Sequence, residues 1–461
     1  MPRPHSFVLA SIACSGLAAA VLLAPATATA GAAVISAPSR DAGAVVTPVP
    51  GDVELGSVSS SSSSAPPTYA DCEAAIQAPC YGPTQLERAY GTPALYARGV
   101  AGQGQTIVIV DPFGSPTIAT DLATFDQAYG LPGPPSLKVI QPAGTYTWTP
   151  TRDQASWAGE TTLDVEYAHA MAPKASILLV ETPVTETEGT DGFPQIVQAE
   201  KYVIDHHLGG IISQSYNATE ETFPTAQSLL ALRGAYTDAY RHGVTVLGAT
   251  GDSGATDAEA DGHSFYPTPV IGWPASDPLV TAVGATEVTL SADGTRTGPD
   301  TAWNGSGGGV SSIFGRPSYQ DRVASVTGRD RGTPDISMSG SCNTPVLTYS
   351  SFLGSGDWSL NCGTSVATPL FAGIVALSDQ VAHHWLGLLN PALYALSARP
   401  APGLVDVTTG DNSQTIPTAD GGTTTVPGYS AGRGYDLVSG VGTIYAPAFV
   451  PALAFAARPF K

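Results

Sequence analysis

From Tyr81 onward the apolar positions fall into short unbroken runs separated by segments of helical period. The runs at 106–110, 176–180, 211–213, 244–247 and 280–283 read as strands, because short, mostly apolar or β-branched runs suit a strand buried on both faces. Between them the spacing predicts helices over 120–129, 157–171, 193–206 and 225–242. After a long loop-rich stretch it predicts one more, from about 365 to 382. Strands alternating with helices imply an α/β fold around a mostly parallel twisted sheet flanked by helices. No internal repeat interrupts the pattern, so 81–461 is expected to form a single domain.

The N-terminal segment has a different texture. Arg3 and His5 precede an apolar run over 7–23, and Ala28-Thr29-Ala30 has the small-x-small form of a signal-peptidase site. The run is broken by Ser11, Ser15 and Gly16, which suits a cleaved export signal at 1–30 better than a membrane anchor. Residues 31–80, rich in Ser and Pro, read as a flexible linker or short pro-segment. Four cysteines follow the signal: Cys72, Cys80, Cys342 and Cys362. No C-x-x-C pair favours zinc, and the local pairing, Cys72 with Cys80 and Cys342 with Cys362, requires the least loop closure. Disulfides and an export signal together predict a secreted protein with no membrane attachment after cleavage.

Composition narrows the partners. The chain carries 39 acidic against 19 basic residues, a net charge of −20, yet only 13% of its residues are charged. That balance excludes a nucleic-acid binder, which needs a clustered basic face. A 43% hydrophobic content excludes wholesale disorder.

Three constellations carry chemistry. In Gly363-Thr364-Ser365 a serine opens the apolar helix, beside backbone N–H groups that no helical carbonyl uses. Either Thr364 or Ser365 caps that helix, or Ser365 is a nucleophile, which needs a base. None of the eight histidines sits in an H-G-T-H helix start; His206, His207, His383 and His384 look like solvated helix ends. The helix over 157–171 offers carboxylates instead. Glu160 and Asp164, one turn apart, fall in the same arc as Trp157, Leu163, Tyr167, Ala168 and Met171, while Thr161, Thr162, Glu166 and His169 take the opposite, polar side. Two acids within an apolar stripe repel each other and lose solvation, so at least one should hold its proton unusually tightly and the pair can act as a general base. Third, the strand at 244–247 runs into Gly248-Ala-Thr-Gly-Asp252-Ser-Gly254, placing Asp252 at the strand's carboxyl end, where α/β sheets bind ligands.

E-x-x-x-D on a helix, T-G-D-S-G-A after a strand and G-T-S-x-A-x-P opening a helix, in that order, resemble the sedolisin family, the serine-carboxyl peptidases, with a subtilisin-like single domain. Lesser matches are Trp303 with Ser306-Gly307-Gly308-Gly309, and Leu389-Asn-Pro-Ala-Leu-Tyr394. The resemblance implies a secreted, acid-acting endopeptidase with Ser365 as nucleophile, Glu160 as base, Asp164 as its partner and Asp252 as oxyanion donor. Only a protonated aspartate can donate to an oxyanion, so the expected working range is about pH 3–5. By the same resemblance one structural Ca²⁺ falls on Asp406, Val407, Gly432, Gly434 and Asp436, a hard-oxygen set. Substrate contacts fall on Tyr216, Gly307 and Gly308. Two departures stand out: Tyr216-Asn217 replaces a common Trp-Gly pair, and only 50 residues separate Ala30 from Tyr81, where relatives carry a long folded pro-segment. The expected partner is a polypeptide substrate and the expected state a monomer. A histidine-based subtilisin-type protease and a catalytically silent scaffold on the same fold are the competing readings.

Overall fold

The computed structural model of the chain describes residues 56–57, 65–398, 402–418 and 421–457. The expected signal segment and most of the expected linker lie outside the described residues.

An eight-stranded sheet organises the molecule. In chain order its strands are β2 (Thr106–Pro112), β3 (Leu137–Ile140), β4 (Ser176–Thr182), β5 (Ile211–Gln214), β6 (Thr245–Ala249), β7 (Thr281–Glu287), β8 (Thr301–Ala302) and β9 (Ile336–Ser339). Across the sheet they lie in the order β8-β7-β6-β5-β2-β4-β3, with β9 also beside β7. Every pairing is parallel except β8 with β7. A second sheet holds β1 (Gly56–Ser57), β10 (Val346–Ser350) and β11 (Asp357–Asn361). The helices that matter below are α1 (Tyr69–Ile76), α2 (Ile118–Tyr129), α3 (Arg152–Met171), α4 (Phe193–Asp205), α5 (Gly234–His242) and α6 (Thr364–Ala382).

The two-residue period of the strands divides the core. Ile107, Ile109, Ile177, Leu179, Ile211 and Leu247 point to one face, where they pack with Leu163, Tyr167 and Met171 of α3 and Leu370 and Phe371 of α6. Val108, Val110, Leu178, Val180, Ile212 and Val246 point to the other, against Phe193 and Ile196 of α4 and Tyr236 of α5. Both faces are covered, so the strands carry apolar residues throughout. Helix α6 is long and apolar enough to cross a membrane, but 83% of it is buried within the protein, so it is a core helix.

Helices α3 and α6 run side by side in the same direction. Their C-terminal ends meet at the segment leading into β2: Gln380 Oε1 accepts from the backbone N–H groups of Ala101, Gly102 and Gln103, and Lys174, three residues past α3, donates its N–H to Ala101 O. Their other ends reach the carboxyl edge of the sheet, where Asp164 meets Ser215 just after β5 and Thr364 meets Asp252 just after β6. The helices touch at Gly373, where an added Cβ would collide with Cβ of Met171 and lie 3.2 Å from the carbonyl oxygen of Ala168.

Several sequence expectations are corrected. The 225–242 helix is two helices, Ala226–Leu230 and Gly234–His242, separated by a turn at whose end Arg233 forms a bidentate pair with buried Asp277. The folded body begins well before Tyr81: Thr68 caps α1 and Cys72 is fully buried. Both local disulfides are present, Cys72–Cys80 and Cys342–Cys362. Glu166 and His169 are buried, not solvated, because α2 and the β10–β11 hairpin cover that side of α3. There Glu166 accepts from Tyr349 N, and His169 Nε2 lies 2.9 Å from Pro132 O and 3.2 Å from Asp126 Oδ1.

Substituting Gly373→Ala tests the helix contact. Alanine favours a helix over glycine by about 1 kcal/mol, but overpacking here costs about 1–3 kcal/mol. The net expectation is a melting midpoint lower by a few degrees, read by calorimetry. An unchanged or higher midpoint would show that the helices can separate freely.

Candidate active site

Helix direction places the chemistry. Glu160 precedes the Ala168 contact by eight residues and Ser365 precedes Gly373 by eight, so on parallel helices both stand roughly 12 Å from the contact, at one level on the carboxyl side of the sheet. Glu160, Asp164 and Ser365 are each fully buried.

The local sequence of α6 holds the serine. Gly363 adopts φ +126°, a conformation that favours glycine, and turns the chain into the helix with Ser365 as its second residue. Pro369 lacks the N–H that would bond the Ser365 carbonyl. Just upstream, the Cys342–Cys362 disulfide ties the approach to this turn. Among the described residues no protein group hydrogen-bonds Ser365 Oγ.

Thr364 joins the serine to Asp252. Its N–H and its Oγ1 donate to Asp252 Oδ1 at 2.7 and 2.9 Å, while its Oγ1 accepts from Gly251 N at 3.1 Å. With Oδ1 accepting twice, a proton on this carboxyl belongs on Oδ2, making a neutral acid that can donate. Across the site Ser215 Oγ donates to Asp164 Oδ1 at 2.8 Å. Glu160 and Asp164 share one buried face of α3, and two charges there would repel with little water to screen them, so the arrangement favours one shared proton.

The subtilase family profile matches residues 152–400, a span that begins with α3 and contains all four of these side chains. Kumamolisin from Bacillus sp. is 34% identical over 376 residues, covering 79% of this chain and 62% of the relative. The solved Pseudomonas sedolisin, described as a serine-carboxyl proteinase complexed with two molecules of pseudo-iodotyrostatin, superposes with a TM-score of 0.68 at 26% identity, covering 83% of this chain and all of that one. This chain belongs to the subtilase family, on its sedolisin branch. Human tripeptidyl-peptidase 1 is 31% identical over 311 residues, covering 64% of this chain and 51% of the relative. The subtilase described here thus spans between half and two thirds of the length of these curated relatives.

The residues expected to contact substrate have packing partners within the protein. The Tyr216 side chain is buried in the core, its hydroxyl donating to Glu200 and accepting from Gln214, and its ring meets Trp157 edge-on at 6.2 Å. Its side chain buttresses α3. At Gly307 and Gly308 a Cβ would collide with the carbonyl oxygens of Thr250 and Leu437. The protein's own backbone demands these glycines, and Gly307 N donates to Gly251 O at 2.8 Å, bracing the turn that bears Asp252.

The C-terminal acidic set does come together. Asp406 accepts from Gly434 N, and Asp436 from Gly432 N, Val438 N, Ser439 N and Ser439 Oγ. Two carboxylates from separate segments converge on one glycine loop, and no described Lys or Arg pairs with either. A Cβ on Gly432 or Gly434 would meet nothing within 4 Å. The donor chemistry and the space fit a hard cation. Val407 is buried beside them.

Sequence reasoning missed two residues that bind the acids of the site, Ser215 and Thr364, and one further buried acid at the same sheet edge, Asp111. Ser215 and Thr364 are ordinary hydroxyls whose roles depend on contacts across 51 and 112 residues. Asp111 was findable. It closes the apolar run of β2 on the same carboxyl edge, fully buried, as Asp252 follows β6.

Buried acids extend beyond the site. Burial pushes Glu186 and Glu200 up to about 8 and Glu87 up to about 7, against an ordinary 4.5; the field of Asp111 adds to the shift at Glu186. Between 4.5 and those values the native state keeps protons that the unfolded chain has released, so stability falls as pH rises through this window. The protein should melt roughly 5–10 °C lower at pH 8 than at pH 4.5. Glu186→Gln should flatten that difference. Greater stability at pH 8 would refute the assignment.

Proposed function

We propose that the chain is a secreted endopeptidase that hydrolyses peptide bonds in acid through Ser365, Glu160, Asp164 and Asp252. One observation carries this reading: the acid expected to steady the oxyanion accepts two hydrogen bonds at Oδ1 from Thr364, the residue next to the serine. Ser365 Oγ attacks the scissile carbonyl while Glu160 takes its proton, and Asp164 shares that proton across the pair. The carbonyl oxygen gains the electron pair and accepts a hydrogen bond from Asp252 Oδ2–H. Collapse expels the amine, which leaves with the proton held by Glu160. Water then enters by the same steps in reverse order of roles and releases the acid product.

The sedolisin relationship, the carboxylate pair and the disulfides support this reading. The chemistry needs Asp252 protonated, which places the activity in acid. Ser365→Ala and Glu160→Gln should each lower kcat on a denatured protein at pH 4 by a factor of roughly 10³ or more. A histidine-based protease would tolerate Glu160→Gln, and a silent scaffold would show no activity to lose. A profile peaking above pH 7 would sink the mechanism. A peptide blocked at its N-terminus decides the mode of action: an endopeptidase cleaves it, whereas release of tripeptides from a free end requires the amine.

The same reading gives the Asp406 and Asp436 carboxylates, with the carbonyls of Val407, Gly432 and Gly434, one Ca²⁺. Bound there, the ion would cross-link two segments of the C-terminal part and play no chemical role at Ser365. Chelation should lower the melting midpoint by several degrees, restored by Ca²⁺ and not by Mg²⁺. No change on chelation would remove the site.

A further inference from the structure

Two neighbouring strands deliver acid-binding groups to the carboxyl edge separately. The chain leaving β5 carries Ser215, which donates to Asp164, and the chain leaving β6 carries Asp252, which accepts from Thr364. Two residues past Ser215, Asn217 crosses from one segment to the other. Its Nδ2 donates to Oδ2 of Asp257 at 2.7 Å, and Asp257 lies five residues past Asp252. An added Cβ on Gly251 would lie 3.0 Å from that nitrogen and 3.3 Å from Asp257 Oδ2, and one on Gly272 would collide with the nitrogen. The amide is therefore seated between two glycine backbones, one of them immediately before Asp252. Gly251 in turn donates its N–H to Thr364 Oγ1 and accepts from Gly307 N. The far end of the bond is held too. Asp257 Oδ1 accepts from Ala258 N, Ala258 O accepts from Thr219 Oγ1, and Thr219 N donates to Glu188.

We propose that Asn217 is a positioning residue whose amide latches the turn bearing Asp252 to the segment bearing Ser215, fixing the oxyanion donor relative to the carboxylate pair. The inference rests on Ser365 acting on peptides as proposed above. A misplacement of about 1 Å at a reacting centre costs on the order of a hundredfold in rate, so a joint between the two segments matters without touching substrate. The titratable groups around the latch are acids and a tyrosine. Glu186 and Glu188 approach from the loop after β4, and Glu221, Glu259 and Tyr266 from the segments on either side of Asp257. Burial and the field of Asp257 push Glu188 up to about 8, and burial raises Asp257 as well. Among the described residues no Lys or Arg pairs with either acid. In such surroundings an amide donates to Asp257 at every pH, whereas a carboxyl at 217 would donate only while it shared a proton with Asp257.

The test compares Asn217→Ala, which removes the donor, with Asn217→Asp, which keeps the shape. On an internally quenched peptide at pH 3.5, Asn217→Ala should lower kcat by roughly tenfold or more, with KM within about twofold. Asn217→Asp, sharing a proton with Asp257, should hold kcat within about threefold at that pH. As pH rises it should lose activity about one pH unit below the unsubstituted protein, because two ionised carboxylates repel and break the latch. Hydrogen exchange supplies a readout that needs no activity. The Gly251 and Thr364 amides of Asn217→Asp should exchange as slowly as in the unsubstituted protein at pH 4, and at least about tenfold faster at pH 7.5. Equal losses in the two variants at pH 3.5, an unshifted profile for Asn217→Asp, or unchanged exchange would overturn the proposal. If Asn217→Ala does not fold, the profile and exchange of Asn217→Asp decide alone. An unsubstituted protein that cleaves nothing would instead overturn the peptidase reading, and exchange would then decide whether the latch exists.

Discussion

The close approach of two helices at Gly373 is the constraint on which the site depends. One helix carries the carboxylate pair, the other the serine, and neither brings all of the chemistry. Their relative height is fixed where the missing side chain of Gly373 lets the backbone of α6 rest on Ala168 and Met171. Both helices are also held at their far ends, where Gln380 and the segment following α3 meet the chain entering β2. The ends that carry Glu160 and Ser365 are thus positioned from contacts more than two turns away, at the carboxyl edge where α/β sheets bind ligands.

The electrostatics follow from the same economy of charge. With only 19 Lys and Arg in the chain, the buried acids are held mostly by neutral donors. Glu166 takes an N–H from Tyr349, Glu220 accepts from Ser311 and Ser312, and Glu200 from Gln214 and Tyr216. Among the described residues, Arg331 with Asp335 is the one ion pair in which both side chains are fully buried. A carboxyl served by hydroxyls and amides can take a proton without orphaning a cation, so protonation disturbs little of the packing.

What the sequence made legible was whatever local chemistry sets. Apolar runs located the strands to within a few residues, since burial on both faces leaves no alternation to misread. The arc of Glu160 and Asp164 was visible because a helix repeats regularly. Where a distant segment decides, the sequence was silent or misleading. Glu166 and His169 looked solvated because nothing nearby announces the hairpin that covers them. Tyr216 looked like a cleft residue by position, yet Glu200, sixteen residues earlier, draws its hydroxyl inward. The glycines at 307 and 308 were noticed for their lack of side chain, but the internal neighbours that require it, the carbonyls of Thr250 and Leu437, lie in distant segments.

Thr364 serves two partners at once, accepting from Gly251 and donating to Asp252. A valine would match its shape and supply neither bond. The middle residue of the G-T-S triplet and an aspartate 112 positions earlier are therefore parts of one joint. Changing either residue undoes the joint for both, however far apart the chain writes them.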